Sequence, residues 1–408
     1  MSALPGGISS LIRRLPDLDG KPFKVANASG AHLTDTFGSI YIDYAMAMGA
    51  TILGHASPPV VEACIRALRN GSMPGFSHDG EMLAAEALTS LAPALTRATF
   101  LTTGSEAVHL ACRIARRSTG RPVIAKIAGG FDGWYDDLAI GWSGSPEADL
   151  SGRRPVIRDM TLLRFNDLAD VEALFGERND IAAVIVEPML ANAGSLQPDP
   201  DYFKELQRIA RKNGAMVIAD EVLMGLRLGC GVSCYSVGLE PDLVTLGKAI
   251  GSGLPVAAVL GTSEAFAVVE DGRAPRAGTY HGNPLVTAAV KATIDTLQTM
   301  DYPAFLTRGA TLRRAIEAAM RKIGPACTSG YGSVFSLWFS ERPPTTYDEA
   351  KAALRPDLSA RLHLELRRRG VVTIPGGWGR VFLSFAHSDE DLAATAAAFD
   401  DAAAALHF

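Results

Sequence analysis

The stretches AMVIADEV (residues 215–222) and LVTLGKAI (residues 243–250) each run from a mainly apolar segment into a charged side chain. Apolar residues without polar alternation suit a strand buried on both faces, the signature of a parallel sheet. A carboxylate closing such a strand, Asp220, is costly to bury unless a cation meets it. A lysine in the corresponding place, Lys248, loses hydration, which favours the neutral amine. Working outward, short strand-like runs recur at 123–127, 181–186 and 256–260. Helical patterns separate them. Residues 58–70 end at Gly71. Residues 105–119 place Val108, Ala111, Cys112 and Ala115 at helical spacing and stop at Gly120. Residues 202–212 close on Asn213-Gly214. Helices interleaved with buried strands predict an α/β fold with a mostly parallel central sheet wrapped by helices.

The pattern shifts near Asn283. A long helix is expected over 284–300, followed by a helix at 310–323, a strand at 334–339, a helix at 359–369, a strand at 381–385 and a closing helix from Asp389. This reads as a smaller α+β unit. The expected organisation is an N-terminal segment (1–50), which fits neither pattern, a large domain (51–283) and a small C-terminal domain (284–408).

Composition narrows the function. The 408 residues are 48% hydrophobic and 20% charged, a globular balance that excludes disorder over most of the length. The 39 basic and 44 acidic side chains leave a net charge of −5. The one basic cluster, Arg367-Arg368-Arg369 before Gly370, reads as the last turn of a helix, where cations are favoured. Nothing favours nucleic acid. No apolar run reaches the length of a bilayer span, and the first 16 residues hold no signal-like segment. Five scattered cysteines without zinc spacing suggest reduced thiols and a cytoplasmic protein.

HExxH, GxxxxGK[ST], GxSxG and GxGxxG are all missing, which leaves little for metal, P-loop or elbow-serine chemistry. Three features remain. Thr102-Thr103-Gly104-Ser105-Glu106 opens a helix, where free N–H groups and the dipole favour an anion; an ordinary Ser or Thr cap explains the same residues. Asp220 is a buried acid or an exposed loop acid. Lys248 is a nucleophilic amine or a snorkelling surface lysine. Together the three supply a phosphate cradle, a partner for a pyridinium nitrogen and an amine for an aldehyde. Pyridoxal 5'-phosphate is a cofactor that needs all three.

The residues resemble a known family. PGGISSLIR, IYIDYAMAMGATILGHASPPVVEA, TTGSEAVHLACRIARRSTGR, VIVEPMLANAG, VIADEVLMGLRLG, PDLVTLGKAIGSGLPVAAVLG, GTYHGNPL and GVVTIPGGWGRVFLSFAHSDEDL occur in order along nearly the whole chain. They are similar to class III pyridoxal-phosphate aminotransferases of fold type I, and within them to the glutamate-1-semialdehyde aminomutase branch. The resemblance implies that Lys248 forms the Schiff base with the cofactor and later moves the substrate proton. It implies that Asp220 keeps the ring nitrogen protonated. Gly104 and Ser105 then bind the phosphate, and Asn192 lies near the 3-hydroxyl. Thr279 reaches the phosphate of a neighbouring subunit, so a homodimer is expected. Arg13 holds a substrate carboxylate; a solvated arginine is the plain alternative.

Departures from the family pattern also carry information. Phe131-Asp132-Gly133 stands where relatives carry Tyr-His-Gly. Phe131 can still stack on a ring. The aminomutase branch usually has a glutamate where Gly379 stands here, between Trp378 and Arg380. Trp378 suggests a bulky or apolar substrate part and Arg380 a second carboxylate; a packed tryptophan and a solvated arginine explain them equally well. The expected activity is an aminotransferase passing nitrogen from an amine or amino acid to a keto acid or aldehyde. The alternative is an aminomutase-like isomerase.

Overall fold

The computed structural model describes residues 3–150, 156–157 and 159–406. Three antiparallel strands come first, β1 (Val25–Ser29), β2 (His32–Asp35) and β3 (Ile40–Asp43). The central sheet follows, made of β4 (Arg97–Leu101), β5 (Val123–Ile127), β6 (Val156–Ile157), β7 (Met160–Leu163), β8 (Ile181–Val186), β9 (Met216–Glu221), β10 (Leu243–Leu246) and β11 (Ala257–Gly261). Its order is β4-β11-β10-β9-β8-β5-β7-β6. β10, β9, β8, β5 and β7 pair in parallel; β11 runs antiparallel to both β10 and β4, and β6 runs antiparallel to β7. Every residue of β5, β7, β8, β10 and β11 is buried, as strands covered on both faces require; Lys126, Thr161 and Thr245 are the polar residues among them. This is the mixed α/β architecture of fold type I transferases.

Two expectations shift in detail. The strand expected at 215–219 is Met216–Glu221, so Asp220 and Glu221 belong to it. Pairing continues because Thr245 lies opposite Asp220 and Leu246 opposite Glu221. Glu221 tolerates full burial because its carboxylate accepts from the Ser233 and Cys234 N–H groups at 2.6 and 2.7 Å. The run expected at 256–260 is a strand, but an antiparallel one.

Beyond the central sheet, β12 (Cys327–Tyr331), β13 (Val334–Trp338) and β15 (Val381–Phe382) form a three-stranded sheet, while β14 (Val371–Val372) pairs in parallel with β3. The N-terminal strands thus join the C-terminal part. Helix Pro284–Leu297 packs on helices Pro58–Arg69 and Asp79–Ser90 and on the turn Lys248–Gly251. The change of sequence pattern at Asn283 therefore does not coincide with a break in packing. Helix Pro356–Arg368 ends before Gly370, whose φ is 77°. Its Arg367 is buried with the guanidinium 4.8 Å from the Phe23 ring, so the arginine run is not a free basic patch. The five cysteines are unpaired. Among the described residues no helix is long and apolar enough to cross a membrane.

Candidate active site

The functional side chains gather where the parallel strands end. β4 leads to Gly104 and Ser105, β5 to Gly129–Gly133, β8 to Glu187, β9 ends in Asp220, and β10 leads to Lys248. Open α/β sheets place ligands at these carboxyl ends.

Helix Gly104–Thr119 begins with a capping box: the Glu106 N–H donates to Thr103 Oγ1 at 3.2 Å, and the Thr103 N–H to Glu106 Oε2 at 2.9 Å. The ordinary cap is thus real, yet it leaves the first helical N–H groups outside the helix ladder. Two glycines let neighbouring turns close on this helix start. A Cβ on Gly104 would lie 2.7 Å from Val222 Cγ1, and one on Gly133, at φ 113°, would lie 3.1 Å from Ser105 Oγ. Three loops therefore converge on this helix start.

Asp220 is buried, only 4% exposed. Its Oδ1 accepts from the Val222 N–H at 2.9 Å and from the Thr245 hydroxyl at 2.8 Å. Burial, reinforced by the nearby Asp132 charge, pushes this carboxyl well above the usual range. The arrangement favours a cation at Asp220. Lys248 holds a left-handed backbone, φ 44°, at the start of the turn Lys248–Gly251. Such strain in a non-glycine residue is held by its surroundings. Desolvation pushes the Lys248 amine down, against the pull of Asp220 and Glu187. A partly neutral amine is the form that attacks an aldehyde.

Glu187 and Lys126 were not singled out from sequence. Glu187 follows β8 directly, is 4% exposed, and accepts from the Phe131 N–H at 3.3 Å. Burial, then the charges of Asp132 and Asp220, push it upward. The signal was present, since an acid follows the apolar run 181–186 just as Asp220 follows its own. Lys126 lies inside β5 and donates to the Leu138 carbonyl at 2.9 Å and to Asp132 at 3.0 Å. Asp132, at the histidine position of the family pattern, is thus a buried partner of Lys126.

A cavity of about 420 Å³ opens above Lys248. Phe131, Asn192, Trp378 and Arg380 line it, as expected for a common site, and Met48, Leu223 and Ile374 add apolar wall. Phe131 stacks on Trp142, centroids 6.0 Å apart. Trp378 stacks on Tyr347 at 5.8 Å, so it is both packed and exposed to the cavity. Arg380 is not a solvated arginine: it donates to the Ala191 carbonyl at 3.2 Å, and desolvation pushes it down to about 10. Arg13 is exposed and is not part of the lining; Leu11, Ile12 and Arg14 of the same segment are. Thr279 is exposed, in the loop before helix Pro284–Leu297, and lines no part of this cavity.

Gly379 explains its own identity. A Cβ there would lie 2.5 Å from the Ile374 carbonyl oxygen and 3.0 Å from that of Gly376. The loop is wound too tightly for any side chain at this position.

These residues fit pyridoxal 5'-phosphate: an anion cradle at Gly104 and Ser105, a buried acid for the ring nitrogen, and an amine for the aldehyde. Comparison with known proteins agrees. Residues 17–402 match the family described as aminotransferase class-III. The chain is 38% identical to a glutamate-1-semialdehyde 2,1-aminomutase of Sorangium cellulosum, over 99% of this chain and 94% of that protein. It superimposes on an omega-transaminase from Sphaerobacter thermophilus with a TM-score of 0.89 at 30% identity, covering 98% and 94% of the two chains. A transaminase with PLP bound gives a TM-score of 0.87 at 28% identity, with 99% and 95% covered. The chain belongs to the class III aminotransferase family, whose cofactor is pyridoxal 5'-phosphate.

Proposed function

We propose that the protein is an aminotransferase that moves an amino group from an amine or amino acid to a keto acid or aldehyde, in two half-reactions. The observation that carries this reading is Gly379, whose tight loop leaves no room for the glutamate expected of the aminomutase branch. The cofactor, when bound, supplies the electron sink. Lys248 is the proposed attachment point and proton carrier. Asp220, hydrogen-bonded by Thr245 and the Val222 N–H, holds the ring nitrogen cationic. Gly104 and Ser105 hold the phosphate, and Phe131 and Asn192 flank the ring. Trp378, Met48, Leu223 and Ile374 would receive an apolar substrate body, and Arg380 a carboxylate. Arg13, exposed beside the lining segment, is the proposed second carboxylate ligand.

Homodimer assembly is part of the same proposal. Phe76, Met82, Leu83, Trp134 and Tyr280 are large apolar side chains left mostly exposed, the kind of surface a partner covers. Thr279, next to Tyr280, would then reach the partner's phosphate site.

The second reading is the aminomutase-like isomerase. The identity to the Sorangium aminomutase over nearly the full length favours it, and at that level the relatives' names support it at least as well as the transaminase.

One experiment separates the two. Holoenzyme is mixed with a panel of amines and amino acids and no acceptor, and the cofactor spectrum is followed. An aminotransferase converts the spectrum to that of the pyridoxamine form with at least one donor. Silence across the panel, with conversion of glutamate-1-semialdehyde in the absence of any keto acid, would establish the isomerase instead. Lys248→Ala should abolish either activity and the hydride-trapped covalent label.

A further inference from the structure

Arg227 is fully buried, and among the described residues no carboxylate pairs with it. A buried cation without an anion needs another reason to be there. Its partners supply one. Nη2 donates to the Gly49 carbonyl at 2.5 Å, Nη1 to the Leu383 carbonyl at 3.4 Å, and the guanidinium lies 5.1 Å from the centroid of the Phe382 ring.

The segment it holds is strained. Met46, Ala47, Met48 and Gly49 follow one another with φ values of 42°, 52°, 58° and 87°. Consecutive left-handed residues are unfavourable for L side chains. Backbone bonds fasten both flanks of the turn to the C-terminal segment: the Phe382 N–H donates to the Tyr44 carbonyl, and the Phe385 N–H to the Ile52 carbonyl, each at 2.9 Å. Arg227 bridges the interval between them, at Gly49 on one side and Leu383 on the other. Gly49 has to be glycine, since a Cβ would lie 2.8 Å from Phe382 Cε1. Met48, at the crest of this turn, lines the cavity with Lys248.

We propose that Arg227 is a positioning residue for substrate selection: it clasps the left-handed Met46–Gly49 turn against residues 382–385, so that Met48 forms a fixed apolar wall of the cavity beside Lys248. The inference rests on the aminotransferase reading for its substrate arm. A second arm does not: whether the Met46–Gly49 turn keeps its place against residues 382–385 can be read with no substrate present.

The test compares Arg227→Lys, Arg227→Met and Met48→Ala as holoenzymes. The substrate arm uses one small and one bulky apolar amine. The second arm is a crystal structure of each variant, which shows the backbone of the Met46–Gly49 turn. In all three variants KM for the bulky donor should rise about tenfold; in Arg227→Lys and Arg227→Met, kcat for the small donor should stay within about twofold of wild type. In Arg227→Met the Met46–Gly49 turn should leave its place against residues 382–385; in Met48→Ala it should stay. An unchanged ratio of KM values for the two donors in Arg227→Lys overturns the proposal, as does an undisplaced turn in a folded Arg227→Met. If Arg227→Met does not fold, Arg227→Lys and Met48→Ala decide the substrate arm. If wild type converts no donor of the amine and amino-acid panel, the aminotransferase reading fails and the structures still decide whether Arg227 holds the turn.

Discussion

Lys126 Nζ lies 3.0 Å from Asp132 Oδ2, with both side chains buried behind the acids Glu187 and Asp220. A buried pair is held by its two members together, and removing one leaves an uncompensated charge. Lys126→Met should therefore destabilise the protein by about 3–5 kcal/mol. Adding Asp132→Asn to it should restore part of that loss. Urea denaturation of the four proteins of this cycle measures the coupling. If the double variant is less stable than Lys126→Met alone, the pair does not explain the burial of Lys126.

Asp220 should matter more for holding the cofactor than for folding. Its carboxyl is raised by burial and by Asp132, and a cationic ring nitrogen relieves that cost. Asp220→Asn should weaken cofactor binding by about 2 kcal/mol, or roughly thirtyfold, as expected for one charge-assisted hydrogen bond. Thr245→Val, which removes one neutral donor at 2.8 Å, should cost less. Fluorescence titration of the apo protein with pyridoxal phosphate gives both numbers. Equal losses in the two variants would contradict the assignment.

Gly379 should tolerate nothing larger. Gly379→Ala places a Cβ against the Ile374 carbonyl oxygen and should cost about 1–3 kcal/mol, typical of overpacking. Arg380 and Trp378 flank it, so substrate binding should weaken as well. Gly379→Glu should be less stable still and gain no isomerase activity. Conversion of glutamate-1-semialdehyde by that variant, above wild type, would refute this reading of the loop.

His363 offers a pH prediction. It is buried, its Nδ1 lies 3.3 Å from Thr373 Oγ1, and burial pushes it down to about 4. Between about pH 6.5 and 4 the unfolded chain binds a proton here that the native protein refuses. The histidine therefore lowers native stability as the pH falls through that window, and its effect vanishes above it. The shift corresponds to about 3 kcal/mol at the acid end. His363→Leu should flatten the fall of melting temperature between pH 6.5 and 4 relative to wild type. Parallel curves for the two proteins would show that His363 titrates normally.

What the sequence by itself determined follows from local patterning. The unbroken apolar run at 181–186 and the mainly apolar runs at 215–219 and 243–246 have one stable use, a strand covered on both faces, and a charged residue just after such a run sits at the strand's carboxyl end. That reasoning reached Asp220 and Lys248, and helix-start chemistry reached Gly104 and Ser105; Phe131, Asn192, Trp378 and Arg380 came only from the family resemblance. Its own rule applied equally to Glu187, which it passed over. Tertiary structure alone decided the rest. The register that puts Thr245 opposite Asp220 comes from strand order. So does the direction of β11, which an apolar run leaves open. The replacement of Arg13 by Leu11, Ile12 and Arg14 in the cavity wall depends on how a short turn lies on residues hundreds of positions away. The Arg227 clasp joins positions 49, 227 and 383. Hydrophobic periodicity is a property of neighbours along the chain, whereas these contacts form only once the layers have packed, and no periodicity encodes them.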